Sequence, residues 1–313
     1  MEYVFGPVMS GRLGRSLGID PLGRAVCSQD CLYCEAGPTR LLTTRRKPYA
    51  PAEAVLAEVA QWAEGGHPRL DYATLGGLGE PTLHSGLGEV IRGVRRILPG
   101  VPAAVLTNST TLHDPAVRRD LQEADVVLPS LDTLVPEEYR KLNRPAPGLG
   151  PDVLAQGLLA LRREFAGEIF LEVLLASGLN DSEENLERIA AFCEQLGPDR
   201  VDVETMTRPG TSQEARPVDP GTLQRWRRAL GAKVKPGPQK AGAESAGAHA
   251  PEDLEGMVLA SVARRPQSAG QLARALDASR EAVQQALDRL QARGDVAATA
   301  QGETTFYRAA FEA

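Results

Sequence analysis

The 313-residue chain contains no run of about 18 apolar residues, and its opening MEYVFGPVMSGRLGR has no apolar stretch of the kind a secretion signal carries. Together these absences predict a cytoplasmic protein with no membrane partner. Basic excess is missing as well. The 35 Lys and Arg stand against 41 Asp and Glu, a net charge of −6, so bulk charge gives no pull toward nucleic acid or lipid. Cysteine is scarce, with 4 in all, and His67, His84 and His113 are scattered far from any of them. No G-x-G-x-x-G joins an expected strand to a helix; GRLGRSLG precedes the first expected strand and has the wrong spacing, which argues against a dinucleotide fold.

What is present is an alternation. Runs rich in β-formers, YATLGG (72–77), PAAVLTNS (102–109), DVVLPSLD (125–132), EIFLEVLL (168–175) and RVDVETM (200–206), are separated by amphipathic helical stretches, and a sixth strand is expected near SLGID. In PAEAVLAEVAQWAEGG (51–66), Pro51 suits a first turn, Val55, Leu56, Val59 and Trp62 share a face, and Gly65 can end the helix. Asp114 and Asp181 read as helix caps, the latter with Glu184 three residues on. Strand–helix alternation builds a parallel sheet, because each crossover helix returns the chain to start a neighbouring strand. An α/β unit over residues 1–231 follows.

Composition then shifts. Residues 232–252 are rich in Ala, Gly, Pro and Lys with little to bury, and read as a flexible linker. Residues 253–313 give a helix, two more helices separated by a turn at Asp277–Ser279, and a hairpin turning at Gly302, a pattern that resembles a winged-helix α+β domain.

Three of the four cysteines fall within CSQDCLYC, at Cys27, Cys31 and Cys34. The spacing i, i+4, i+7 allows one buried helix face, but the polar Ser28, Gln29 and Asp30, with Gly23 and Gly37–Pro38 on either side, favour a loop. Structural zinc asks for four ligands, and no histidine is close in sequence. A four-iron cluster held by three thiolates would keep one open, reactive iron. Cys193, in the middle of IAAFCEQLG, suits a small buried hydrophobe.

The motif C-x3-C-x2-C, with the aromatic Tyr33 before its last cysteine, resembles the signature of the radical S-adenosylmethionine superfamily. The resemblance implies a partial (β/α)6 TIM-like barrel and two cofactors, a [4Fe–4S] cluster on Cys27, Cys31 and Cys34 and S-adenosylmethionine on the fourth iron. It also implies reductive cleavage to a 5′-deoxyadenosyl radical that abstracts hydrogen from a substrate, with electrons from a reductant such as flavodoxin or ferredoxin. In TLGGLGEPTLH, Gly77, Gly79 and Glu80 match the element that receives the methionine ammonium. Asn108, Ser130, Asp132 and Asn180 follow later strands, where relatives contact the ligand's carboxylate, ribose or adenine. Each is also an ordinary turn or cap residue type. FGPVMSGRLGRSLGID, GEPTLH, TNSTTL, SLDTLVPEEYRKLNRP, GLNDSEENL and RPG together resemble a wyosine-synthase-like or Fe–S oxidoreductase group over roughly residues 3–230. The tRNA-modifying member of that group carries a second cluster on additional N-terminal cysteines. Here Cys27 is the first cysteine, so a tRNA wyosine-type reaction is the less favoured.

Arg12, Arg15, Arg144 and Arg208 are candidate contacts to a substrate phosphate or carboxylate, while Arg45–Lys47 read as solvated surface. Residues 253–313 hold seven arginines against eight acidic residues, no basic stripe for nucleic acid, so docking of a protein or peptide is preferred there. Two functions remain from sequence: the radical enzyme, acting by preference on a protein, peptide or partner enzyme, and an iron–sulfur redox regulator binding DNA through the winged helix.

Overall fold

The computed structural model describes residues 1–65, 69–231, 251–301 and 304–310. His67, the hairpin residue Gly302 and the expected linker as far as residue 250 lie outside the described residues; the last two linker positions begin a helix instead.

The chain forms β1 (Val4–Ser10), β2 (Gly14–Ile19), β3 (Val26–Cys27), β4 (Leu41–Leu42), α1 (Ala52–Ala63), β5 (Tyr72–Leu75), α2 (Leu87–Ile97), β6 (Ala103–Thr107), α3 (Pro115–Leu121) and β7 (Val126–Pro129). It continues through α4 (Pro136–Asn143), α5 (Pro151–Glu164), β8 (Glu168–Leu175), α6 (Glu183–Leu196), β9 (Arg200–Thr205) and α7 (Pro220–Ala229). β2, β5, β6, β7, β8 and β9 lie side by side in parallel, each followed by at least one helix, and curl into a (β/α)6 half-barrel. Alternation along β8 explains the two layers. Leu171, Val173 and Leu175 join the large outer core beneath the helices, whereas Phe170 turns inward to Leu13, Ala104, Val126 and Leu128 and plugs the barrel floor. Glu172 and Leu174, on the same inward face, reach the mouth.

A seventh strand was not anticipated. β1 pairs antiparallel with β2, from Val4 opposite Ile19 to Ser10 opposite Gly14, and forms the sheet edge. The stretch GRLGRSLG is thus the hairpin turn and the start of β2. Gly18 is required there because a Cβ would overlap the Phe5 ring from β1.

The caps are partly as expected. Asp114 accepts from Ala116 N at 2.8 Å. On α6, however, Ser182 is the cap, accepting from Asn185 N at 3.1 Å, while Asp181 accepts from Gly178 N in the preceding turn. Pro51 occupies the cap position of α1 rather than its first turn, and the helix closes at Glu64.

The C-terminal unit comprises α8 (Pro251–Arg264), α9 (Ala269–Leu276), α10 (Arg280–Ala292) and the antiparallel pair β10 (Val296–Gln301) and β11 (Thr304–Ala309). It has its own core, including Val258, Leu272, Leu276, Val283, Leu287 and Tyr307. Ser268 and Gln271 form a capping box on α9, and Asp277 ends that helix in the left-handed region at φ 53°. α8 and α9 lie against β1, so the unit covers the open edge of the half-barrel. Among the described residues no helix is long and apolar enough to cross a membrane.

Candidate active site

The three clustered cysteines sit on a loop, and its hydrogen bonds show why no helix forms. Asp30 N donates to Asn143 O at 3.1 Å and Leu32 N to Leu142 O at 3.0 Å, so the loop is strapped to the end of α4. On its other side Thr211 Oγ1 donates to the carbonyls of Cys31 and Leu32, at 3.0 and 2.9 Å. These backbone groups are spent on distant partners, which removes the helix-face alternative. Gly210 lies so close to the Tyr33 backbone that a side chain there would collide with it.

Cys31 is buried and Cys27 and Cys34 are half-buried; all are free thiols. Burial pushes Cys27 up to about 12, with the charge of Glu80 adding to it. Burial likewise lifts Cys31 well above the usual thiol range and raises Cys34. Bare, these groups are neutral at physiological pH, and they would release protons on taking up a metal group. Asn108 Nδ2 stands 3.4 Å from Cys27 Sγ and Asn143 Nδ2 3.5 Å from Cys31 Sγ, donors that suit thiolate acceptors. Among the described residues no three His, Cys, Asp or Glu side chains converge on a single ion. Cys193 is half-buried on α6 against the outer core.

The strand-end residues gather around this loop, at the C-terminal ends of the parallel strands. Gly79 is indispensable, since a Cβ would overlap Val26 O on the cysteine loop; one on Gly77 would meet the Asp20 carboxylate. Glu80 is buried and already engaged. Its Oε1 accepts from Thr82 N, Thr82 Oγ1 and Thr107 Oγ1, and its Oε2 from Asn108 N at 2.6 Å. Burial raises its pKa despite those donors. Asp132, also buried with its pKa raised, accepts Tyr33 OH at 2.5 Å, Asn143 Nδ2 at 2.8 Å and Leu174 N at 3.0 Å. Asn180 donates to the carbonyls of Asp132 and Leu174, both at 2.8 Å, and accepts from Ala176 N, so its amide is consumed in bracing the loop after β8. Ser130 N donates to Thr107 O at 2.8 Å, and its residue pairs with Glu172.

Beside Tyr33 a cavity of about 400 Å³ opens between the barrel mouth and the C-terminal unit. Arg12 and Arg208 line it; Arg15 and Arg144 do not. Arg12 pairs with Glu172, and Arg208 with Glu35 at 3.1 Å. Arg144, in the left-handed region at φ 41°, clamps the cysteine loop through Asp30 at 2.7 Å. Arg15 Nη2 reaches Arg274 O across to α9. Arg46 departs from the solvated run expected of it, donating to Thr82 O and His84 O and pairing with Asp120. His84 is buried, bonded to Ala50 O and Gly86 N.

Residues 25–193 match the family model "Radical SAM superfamily", and they contain every cysteine of the chain. The chain belongs to the radical SAM superfamily. At 37% identity, a UPF0026 protein of Synechocystis sp. is similar over 66% of this chain and 76% of its own length. A protein of Brachyspira hyodysenteriae named GTPase Obg is 34% identical over 72% of this chain, which spans only 33% of that protein. A radical SAM methyltransferase from Sphaerobacter thermophilus shares the fold, with a TM-score of 0.51 at 19% identity over 69% of this chain and 62% of its own.

The superfamily's cofactors are a [4Fe–4S] cluster and S-adenosylmethionine. The radical SAM site here fits them by its donor set: three thiols with amide donors at two sulfurs, beside a polar cavity. Asn143 Oδ1 is buried there with no hydrogen-bond partner. Asn143 was not legible as a site residue, because it lies on α4, 112 positions from the sulfur it touches. Glu172 was the more visible omission, a carboxylate set between the apolar Leu171 and Val173 in the run EIFLEVLL. Family membership leaves the DNA-binding regulator without support, and Arg289 on α10 and Arg293 at its end are both paired with Glu255.

Proposed function

We propose that this chain is a radical S-adenosylmethionine enzyme whose cluster ligands are Cys27, Cys31 and Cys34, and whose substrate enters the cavity beside Tyr33. The observation that carries the reading is the cysteine loop itself, strapped to α4 and to Thr211 with all three thiols free. Cys27, Cys31 and Cys34 would hold the cluster, and the cofactor pair would supply one-electron cleavage of a sulfonium and hydrogen-atom abstraction. The protein's part is positional. Asn108 and Asn143 would steady two of the thiolates by donating to them, and Gly79 would let the glycine loop lie flat on Val26. Asp132 holds the Tyr33 ring at the edge of the chamber. The α8–α9 face covers the open strand edge.

A protein or peptide substrate remains the preferred class, presented as a single side chain because the cavity admits only about 400 Å³. A flavodoxin- or ferredoxin-type reductant would supply the electron, and a cytoplasmic setting suits the free thiols.

Anaerobic reconstitution with iron and sulfide tests the reading. Protein loaded in this way and reduced with dithionite in the presence of S-adenosylmethionine should release 5′-deoxyadenosine and methionine. Cys31→Ala should lose both the bound iron and the products. Retention of iron and sulfide by that variant would refute the assignment.

A further inference from the structure

The mouth cavity holds more guanidinium than its own carboxylates answer. Arg12 is neutralised by Glu172 and Arg208 by Glu35. Glu204, also on the wall, is bonded from outside the cavity by Arg227 at 3.4 Å. That leaves two arginines from the C-terminal unit, Arg265 just beyond α8 and Arg274 on α9. Arg274 is exposed at the rim. Arg265 is the informative one. Its Nε and Nη2 are shut away from solvent and meet no acceptor among the described residues.

Guanidinium donors shut away without hydrogen bonds are costly, because they have given up water and gained nothing. Burial, together with the positive charge of Arg208, lowers Arg265 to about 10, which still leaves it charged at neutral pH. Glu35 is the one nearby carboxylate that favours its charge, and Arg208 already holds that carboxylate with a bond to each oxygen. Arg265 therefore lines a chamber in which, among the described residues, every wall carboxylate is already paired with another arginine.

We infer that this cavity binds an anionic group of the substrate, a carboxylate or a phosphoryl oxygen set, with Arg265 as its principal partner and Arg274 at the entrance. The inference rests on the radical-enzyme reading only in naming the ligand as substrate. Specificity then comes from the C-terminal unit, which supplies both unanswered arginines, while the barrel supplies the cysteine loop. A substrate lacking the anion would leave the Arg265 donors unpaired and be rejected on that account.

Calorimetric titration of the reconstituted protein with inorganic phosphate, and separately with succinate, reads the site directly. At least one of the two should bind saturably; the tighter binder names the anion as phosphoryl or carboxylate. Arg265→Gln should weaken that binding about tenfold or more, in line with loss of a charge-assisted pair. Arg225→Gln on α7, which breaks a surface pair with Glu183 of α6, should leave it unchanged. If Arg265→Gln does not fold, Arg274→Gln at the rim reads the same quantity and should weaken binding several-fold. Binding of neither anion by the wild type, or unaltered affinity in the folded arginine variants, overturns the inference. The two readings fail separately. Release of 5′-deoxyadenosine without arginine-dependent anion binding removes this one alone, whereas arginine-dependent binding in a protein that takes up no iron removes the radical reading alone.

Discussion

Replacing Gly79 with alanine would drive a Cβ into the Val26 carbonyl, one residue before Cys27. Neither partner is a flexible side-chain end, so backbone must move. The expected cost is about 2 kcal/mol or more, read as a lower melting temperature, with less iron retained after reconstitution because β3 carries the first thiol. Unchanged stability and iron content would show that the contact is not rigid. Gly79 was legible in the sequence as part of the GLGEP element, and the structure shows its close approach to be toward the cysteine loop. The thiols were readable because their spacing is local. Asn143 and Arg265 were not, since each meets the site only through tertiary folding, and nothing in LNRP or RRPQ marks a side chain that the fold will bury. Asp132 and Asn180 show the converse: their strand-end positions were legible, but the hydrogen bonds that occupy them depend on Tyr33, Asn143 and Leu174 arriving from elsewhere.

Among elements, the lower ends of β8 and β9 are pinned by a single carboxylate. Asp199 accepts from Ile169 N and from Arg162 of α5, both at 2.8 Å. Burial works to raise its pKa, but these two donors prevail and the group lies below its ordinary value. A depressed folded pKa contributes stability that is present above the unfolded value of about 4 and fades as pH falls through the folded one. Asp199→Asn should accordingly flatten the acid limb of the stability curve, by roughly 1 kcal/mol or less because the pair is partly exposed, and calorimetry at pH 3 and pH 7 would measure it. The six parallel strands were legible because each is a short apolar run followed by a helical period. β1 was not, since Gly6–Pro7 interrupts its pattern and an edge strand tolerates that interruption where an interior one would not. The cap of α6 was misplaced by one residue because Asp181 and Ser182 are both good cap types, and only the turn at Gly178 decides between them.

For the molecule as a whole, the attachment of the C-terminal unit turns on Arg264. Its Nη1 meets the fully buried Asp20 at 3.1 Å, its Nη2 donates to Glu2 O, and its guanidinium lies 5.6 Å from the centre of the Phe5 ring. Arg264→Ala would leave a buried carboxylate without its cation. A loss of about 3 kcal/mol is expected, seen as an earlier melting transition, and an unaltered transition would mean that the apolar contacts of α8 and α9 with β1 suffice alone. The position of this unit could not be foreseen, because helix and hairpin patterns define its interior and say nothing of which face meets the barrel.

Asp20 has further partners. Its Oδ1 accepts from Leu22 N and Gly23 N, where the chain turns toward Cys27, and its Oδ2 accepts from Leu78 N in the glycine loop as well as from Arg264. One side chain thus acts as a knot joining the approach to the thiols, the loop that presses on them, and a helix more than two hundred positions away in the sequence. Loosening that distant helix ought to be felt at the sulfurs, so the speed at which air bleaches an iron-loaded preparation becomes a gauge of how firmly the roof is seated.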